Sequence, residues 1–274
     1  MSLPQNLHLT TLLLLISILA LATPSLCDDD DDDDEGGTKQ TAAFTDPATG
    51  IPMQRFFGAA SGFGFGIALP TNVTDSFIGQ LSFPLTAGAG WGGWSLTGDM
   101  EGPLLMAAWS DGTSVVSSFR QAFNEDDNPP EVTGSFSVRP IAQGTSVNDT
   151  ALTYTFLCAG CLDASLGLGA AATGATVEMG WAMGSQAVQD PGTSAGVLAF
   201  HDVGFGGFDA HLDQARTADF DTFAAMAGDP LVASAGAQPI QANAGSDDEG
   251  DAAGGATSGG GTVDAGADSD SEDD

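Results

Sequence analysis

Short runs of alternating apolar and polar residues, separated by glycine-rich turns, recur along most of the chain. Alternation with a period of two is typical of a strand that buries one face. Helical periodicity is almost absent, and only residues 219–227 fit a short helix. The pattern predicts an all-β domain, an antiparallel immunoglobulin-like β-sandwich. Its clearest predicted strands are 62–70, 77–83, 131–139, 151–157, 177–183 and 196–200.

Residues 91–120 combine this pattern with an unusual methionine. Two apolar runs flank the polar turn Gly98-Asp-Met100-Glu-Gly102, and a second turn leads into a third run from Val115, which predicts strand, loop, strand, turn and strand. Methionine normally fills gaps in a core, yet Met100 stands between two acidic residues and two glycines. A thioether at the tip of a rigid turn is a candidate iron ligand. The alternative is a side chain that folds back into the core.

The two ends of the chain differ in composition from its middle. An apolar stretch, Leu12–Leu21, precedes small residues that suit signal peptidase, so residues 1–27 are predicted to be a secretory signal peptide. Residues 28–40 contain an unbroken acidic run and are predicted to form a solvated arm. Residues 41–228 are then the folded domain. Residues 229–274, rich in Gly, Ala, Ser and Asp, are predicted to be a disordered acidic tail.

The charge of the chain limits its partners. Five Lys and Arg stand against thirty-seven Asp and Glu, for a net charge of −32. Nucleic acid and anionic membranes are therefore not expected as partners. Beyond the predicted signal peptide no run is apolar enough to span a membrane, so the protein is expected to be secreted and extracellular. Asn72 and Asn148 each begin an Asn-x-Thr motif, which predicts glycosylation in surface loops.

Few cysteines and histidines remain outside the predicted signal peptide. Cys158 and Cys161 form the motif Cys-Ala-Gly-Cys, which in a secreted chain favours a short-loop disulfide over a redox pair. Leu162, not His, follows the motif, which excludes covalent c-type haem attachment. The two histidines are His201 and His211, too few for a three-histidine zinc site.

Three segments together resemble the cytochrome domain of fungal cellobiose dehydrogenases. The first, Phe44-Thr-Asp-Pro-Ala-Thr-Gly50, is similar to the opening of that domain. The second runs from Met100 through Leu-Leu-Met-Ala-Ala-Trp109 to Val-Val-Ser-Ser-Phe-Arg120, and in the family the methionine of this loop is an axial haem ligand. The third begins at His201 and continues Asp-Val-Gly-Phe-Gly-Gly-Phe-Asp209, like the family's histidine-ligand segment. The resemblance covers residues 41–223.

The resemblance implies a noncovalent haem b with Met100 and His201 as axial ligands. Iron with both axial positions filled has no open site, so the expected role is electron transfer and not catalysis. The soft thioether favours the ferrous state of the iron. The implied donor is an extracellular flavoprotein dehydrogenase. The implied acceptor is a copper polysaccharide monooxygenase, a quinone or ferric iron. No dinucleotide-binding fingerprint is present, so a cytochrome without the family's flavin domain is expected. His211 lacks the ligand context and is expected to be exposed.

The chain also departs from the family in two places. Asp99 and Glu101, the neighbours of Met100, are more acidic than is usual in the family. Residues 124–128, Asn-Glu-Asp-Asp-Asn, are acidic where relatives carry a tyrosine-containing loop near a haem propionate. Arg120 is a candidate propionate partner. The main alternative function is a non-haem module that binds carbohydrate or another surface through the same sandwich, with Trp91 and Trp94 stacking on sugar rings. A purely structural acidic surface protein is a third possibility.

Overall fold

The computed structural model describes residues 39–241, all of which belong to one compact unit. The predicted signal peptide, most of the acidic arm and residues 242–274 lie outside the described residues. In chain order the strands are β1 (Ala42–Thr45), β2 (Pro52–Phe57), β3 (Gly64–Pro70), β4 (Phe77–Pro84), β5 (Trp91–Ser95), β6 (Leu105–Ser110), β7 (Val115–Arg120), β8 (Val132–Thr133), β9 (Ser137–Pro140), β10 (Ser146–Val147), β11 (Ala151–Ala159), β12 (Thr176–Gly184), β13 (Gly204–His211), β14 (Arg216–Thr217) and β15 (Gln238–Pro239).

Helical structure within this range is sparse. A single α-helix, α1 (Phe220–Ala224), accompanies four short 3-10 turns at Ala142–Gly144, Ala164–Leu166, Ala170–Gly174 and Leu212–Gln214. The helix lies within the predicted segment 219–227 but is shorter. Within residues 39–241 no helix has the length and apolar character needed to cross a membrane.

Two large sheets form the body of the domain. The larger has eight strands, with β1-β2-β3-β4-β11-β10 in spatial order, β9 also pairing with β11 and β14 with β3. The smaller has the order β13-β12-β5-β6-β7. All pairs in these sheets are antiparallel except the two-residue pair between β14 and β3. The predicted antiparallel β-sandwich is confirmed.

Aromatic side chains from both sheets pack into a common core. Phe65 of β3 lies 5.4 Å from Trp94 of β5 and 6.4 Å from Phe208 of β13, measured between ring centroids. Phe156 of β11 stacks on Trp94 at 6.3 Å. Each of these rings is at most 2% exposed. Burial of one such ring stabilises the fold by about 1.5–3 kcal/mol, which is why the smaller sheet must turn its Trp- and Phe-bearing face toward the larger one.

The predicted disulfide is present and lies at the edge of this core. Cys158 is near the end of β11 and pairs with Cys161 just beyond it, with a Cα–Cα distance of 5.7 Å. Both residues are fully buried.

Three predicted segments differ from the structure. The strand predicted at residues 131–139 is divided into β8 and β9, which belong to different sheets. The strand predicted at residues 196–200 is absent from the described structure, where only Val197 forms an isolated bridge, to Gln189. The predicted disordered tail also starts too early. Residues 229–241 belong to the described fold, and β15 pairs with β8 in parallel. Residues 196–200 bond in part to the side chains of Arg120 and Asn128, and residues 229–241 bond largely to the backbone of β8 and β9. Local composition reveals neither set of partners.

Candidate functional site

A cavity of about 320 Å³ lies on the face of the five-stranded sheet that points away from the core. Its floor is the sheet, and its walls are the loop after β5, residues 125–129 and residues 198–201. Met100 and His201 both line this cavity. They are separated by 100 positions in the sequence, so the sandwich brings together the two candidate ligands from different loops.

The floor of the cavity consists of small residues in register. Ala182, Gly93 and Ala107 are paired neighbours on β12, β5 and β6, and Gly180 and Ser95 form the next row. Adjacent strands lie about 4.8 Å apart, so three of them offer a strip about 10 Å wide. Leu105 completes the second row on β6 and Trp91 also lines the cavity, so the small residues form a flat patch between bulkier side chains that can accept a planar group.

The wall that carries Met100 is a tight loop between β5 and β6. The Ser95 hydroxyl donates to the carbonyl oxygens of Thr97 and Asp99, the second at 3.1 Å. The Asp99 carboxylate accepts the backbone N–H of Glu101 at 3.1 Å. These bonds close the turn on both sides of Met100. Its side chain lines the cavity and is not among the buried core residues, which disfavours the gap-filling alternative.

The wall that carries His201 is aromatic. The imidazole lies between the rings of Phe200 and Phe205, at centroid distances of 4.2 and 4.3 Å. Its Nδ1 atom is buried and has no hydrogen-bond partner among the described residues. Burial lowers the pKa of His201, although the charge of Glu125 acts in the opposite direction. The neutral imidazole that metal binding requires is thus favoured.

The acidic segment predicted as a family departure lies at the mouth of the cavity. The Asn124 side-chain oxygen accepts the N–H groups of Asp126 and Asp127 at 3.0 and 2.8 Å, which folds the segment into a closed turn. Glu125, Asp126 and Asp127 all line the cavity. Asn128 then accepts the N–H of Leu198 at 2.9 Å, so the acidic turn is fastened to the segment that leads to His201.

Arg120 holds these two walls together. It is 1% exposed, and its guanidinium donates to the Ser118 hydroxyl at 2.8 Å and to the carbonyl oxygens of Pro129, Ser194 and Gly196 at 2.9, 2.8 and 2.6 Å. Burial lowers its pKa to about 10. All three nitrogens already have protein acceptors, but the side chain also lines the cavity, so Arg120 as the propionate partner stays a prediction.

Other sequence candidates lie elsewhere or serve the fold. His211 does not line the cavity, and its ring bonds to the Thr176 hydroxyl at 2.8 Å and to Gln40 at 3.3 Å. Trp91 and Trp94 are 6% and 2% exposed, so they cannot stack on a sugar as the alternative function requires. Among residues 39–241 no group of three or more His, Cys, Asp or Glu side chains could hold a metal ion.

The cavity fits a haem on these observations. Small residues make up part of its floor, one wall offers a thioether, and the other offers an imidazole whose buried Nδ1 has no partner among the described residues. Haem brings four iron ligands of its own, so two protein ligands complete the coordination.

Similarity to known proteins agrees with the geometry. A family model for the cytochrome domain of cellobiose dehydrogenase matches residues 44–222. The pyrroloquinoline quinone-dependent pyranose dehydrogenase of Coprinopsis cinerea is 29% identical over 187 residues, which are 65% of this chain and 24% of that protein. This chain therefore spans about a quarter of that relative's length.

Solved structures show the same fold. The cytochrome domain of Myriococcum thermophilum cellobiose dehydrogenase is 28% identical, with a TM-score of 0.63 over 71% of this chain and 100% of that one. The cytochrome b domain of Coprinopsis cinerea pyranose dehydrogenase has a TM-score of 0.60 over the same shares, and at 24% identity it supports the fold alone. The chain belongs to the family of cellobiose dehydrogenase cytochrome domains, which are electron-transfer cytochromes that bind haem b.

Proposed function

We propose that this protein carries single electrons as a secreted b-type cytochrome, with Met100 and His201 as the axial ligands of its haem. The observation that supports this most strongly is that both side chains line one cavity over a flat floor of small residues. Haem b, when bound, supplies a one-electron Fe(III)/Fe(II) couple.

The residues around the cavity suit that role. The thioether of Met100 is a soft ligand that favours the ferrous state and raises the potential, and the imidazole of His201 is the stronger ligand. Phe200 and Phe205 pack against the imidazole, although both residues are largely exposed, at 68% and 63%. With Met100 and His201 both bound to its iron, the haem would leave no open site for oxygen or peroxide. The protein therefore transfers electrons and does not catalyse a reaction of its own.

The proposed donor is an extracellular dehydrogenase with a flavin or quinone cofactor. The similarity to cellobiose and pyranose dehydrogenases supports this choice. The proposed acceptor is a copper polysaccharide monooxygenase, a quinone or ferric iron. The acidic residues Glu125 to Asp127 at the cavity mouth lie where such a partner would approach.

Secretion is part of the same proposal. The predicted signal peptide and the Cys158–Cys161 disulfide both suit an oxidising, extracellular compartment. Asn72 and Asn148 are exposed, as glycosylation sites must be. Asn148 also lies in a turn, where its side-chain oxygen accepts the N–H groups of Thr150 and Ala151 at 2.8 and 3.0 Å.

Single substitutions test the ligand assignment. Met100→Ala is expected to retain haem but to lose the low-spin spectrum and lower the potential, since only the weaker ligand is removed. His201→Ala is expected to lose most of the haem. His211→Ala is the matched control and should change neither property, because His211 lies outside the cavity. The measurement is haem content together with the visible spectrum. Loss of the low-spin spectrum in His211→Ala, with His201→Ala unaffected, would contradict the assignment.

A further inference from the structure

The loop that carries Met100 is fastened at its far end by a buried glutamine, Gln121, which directly follows β7. Gln121 is 2% exposed. Its amide nitrogen donates to the carbonyl oxygen of Gly102 at 2.7 Å. The backbone N–H of Gly102 donates to the carbonyl oxygen of Ala122 at 3.0 Å. Residues 121 and 122 thus hold both polar backbone groups of Gly102, two positions after Met100.

The same amide also binds the end of the described chain. Its nitrogen donates to the carbonyl oxygen of Gln241 at 2.9 Å, and its oxygen accepts the N–H of Gln241 at 3.0 Å. The N–H of Gln241 can donate only to the oxygen of the Gln121 amide. These two bonds therefore determine which atom of that amide is the oxygen and which is the nitrogen. Both N–H donors of the Gln121 amide are therefore used, one toward Gly102 and one toward Gln241.

Residues 231–241, here called the C-terminal strap, are bound along β8 and β9. The N–H of Leu231 donates to the carbonyl oxygen of Val138 at 2.9 Å, and that of Gln238 to Glu131 at 2.9 Å. The Glu131 carboxylate also accepts the Ser234 hydroxyl and, at 3.3 Å, the Ser234 N–H. The strap is thus an ordered part of the site's scaffold, and Gln121 is the residue through which it contacts the Met100 loop.

We propose that Gln121 is a positioning residue that couples the C-terminal strap to the Met100 loop and thereby strengthens thioether ligation of the haem iron. This inference rests on the proposed function, because it takes Met100 to be a ligand. A thioether is a weak ligand on a flexible side chain, so its bond to iron depends on how well the surrounding loop is held. Loss of the amide removes one of the two bonds that hold Gly102 and both bonds that hold Gln241.

Amide hydrogen exchange of the haem-free, full-length protein tests whether Gln121 restrains the Met100 loop. Gln121→Leu keeps the approximate volume and removes all three hydrogen bonds. We expect exchange across residues 97–102 to rise about fivefold, the factor that corresponds to loss of one net buried hydrogen bond. Gln121→Glu keeps the acceptor but loses both donors, and should raise exchange in the same direction.

Gln80 supplies a matched control. It is also a buried glutamine, 3% exposed, and donates to the Thr155 hydroxyl at 2.9 Å in the larger sheet, away from the cavity. Gln80→Leu should lower global stability but leave exchange at residues 97–102 unchanged. The inference is overturned if Gln121→Leu leaves that exchange at the wild-type level, or if Gln80→Leu raises it equally.

A second pair of variants tests the strap itself and keeps the inference testable should Gln121→Leu fail to fold. Gln241 takes part only through its backbone, so Gln241→Ala should behave as the wild type. Gln241→Pro removes the N–H that the Gln121 oxygen accepts, and should raise exchange at residues 97–102. Equal exchange in the two Gln241 variants would show that the strap is not coupled to the loop.

The haem-loaded protein then tests the link to ligation. Gln121→Leu should keep its haem content, because His201 is intact, but show a lower potential and a smaller low-spin fraction than the wild type and Gln80→Leu. An unchanged potential and spectrum would overturn the coupling to ligation. If the wild type takes up no haem, the proposed function fails, and hydrogen exchange still decides whether Gln121 holds the loop.

Discussion

Two consecutive residues at the end of β7 organise both walls of the cavity. Arg120 and Gln121 point to opposite sides of the strand, as neighbours on a strand must. Arg120 binds the segments that precede His201, and Gln121 binds the loop after Met100. Both are almost fully buried, so each unmade hydrogen bond would carry a full desolvation cost. These two side chains therefore help to shape the site, although neither is a candidate ligand of the haem iron.

The sequence identified the candidate ligands but not the residues that hold them. Met100 and His201 are recognisable because local motifs surround them. The role of Arg120 depends on carbonyl groups 74 and 76 positions away, and that of Gln121 on one 120 positions away. Every residue has a backbone carbonyl. The type of the accepting residue therefore does not reveal that its carbonyl will bind a distant side chain.

The only tyrosine of the chain, Tyr154, gives a prediction at high pH. It is 1% exposed and accepts a hydrogen bond from the Ser117 hydroxyl at 3.0 Å. Burial raises its pKa above the ordinary value of 10.0. Above that pH the unfolded chain loses a proton that the folded chain keeps, so this contribution to stability is complete below pH 10.0 and declines as pH rises.

We therefore expect the free energy of unfolding to fall by up to about 1.4 kcal/mol per pH unit above pH 10.0 because of this one group. Tyr154→Phe should remove that slope. Denaturant unfolding of both proteins between neutral and alkaline pH measures the difference. A tyrosinate absorbance that appears near pH 10.0 in the folded protein, before unfolding, would show that the phenol is not held neutral by burial.

At the scale of elements, the outer face of the five-stranded sheet makes the cavity. On β5 the large residues Trp91 and Trp94 alternate irregularly with glycines, and only the register of three strands shows that Gly93, Ala107 and Ala182 are neighbours. The sequence contains this signal as small residues at alternate positions. These small residues can be recognised as the floor of the cavity only when the strand order is known. Neighbouring strands in that order are not all consecutive in the sequence.

In the segment before His201, the apolar pattern predicted a strand that the structure does not contain. Residues 196–200 are apolar enough to predict a strand. Val197 pairs with Gln189 in a single bridge, and other backbone bonds of the segment go to the side chains of Arg120 and Asn128. The alternation rule assumes that strands supply the partners. It succeeded for β3, β4, β11 and β12, where neighbouring strands do so, and the predicted sandwich followed from them.

Filling the floor should exclude haem without unfolding the sheet. Ala182 lines the cavity, and Ala182→Leu adds three carbons to a flat surface. Overpacking of this kind costs about 1–3 kcal/mol, so haem binding should weaken by at least about fivefold. Stability of the haem-free protein should change less than for a substitution in the main core, because Ala182 is only partly buried and packs against the small cluster of Trp91 and Trp109.

Titration of the haem-free protein with haem measures this affinity. Ala42→Leu adds the same volume at an exposed position of β1 and serves as the control. The cavity assignment is wrong if Ala182→Leu binds haem as tightly as Ala42→Leu does.

At the scale of the whole molecule, charge governs the encounter with partners. The chain carries a net charge of −32, and acidic residues stand at the mouth of the cavity. If the donor is also acidic, like-charge repulsion slows association at neutral pH. Added salt screens this repulsion, over about 8 Å at physiological ionic strength. We expect haem reduction by an acidic dehydrogenase to be faster with salt at pH 7, and faster as pH falls toward about 4.

Stopped-flow reduction at several salt concentrations measures this dependence. Deletion of Asp247 to Asp274 removes much of the acidic charge and should flatten the response to salt. A rate that falls as salt is added would mean that the partner is basic and that the acidic residues attract it.

The most direct test of the central claim is the spectrum of the full-length protein supplied with haem b, recorded oxidised and reduced. Ligation by Met100 and His201 predicts low-spin, six-coordinate iron in both states, and in the ferric protein the near-infrared charge-transfer band of an iron–thioether bond. Acidified organic solvent should extract the haem completely, because no cysteine binds it covalently. A protein that stays colourless, or a high-spin haem without the thioether band, would contradict the claim.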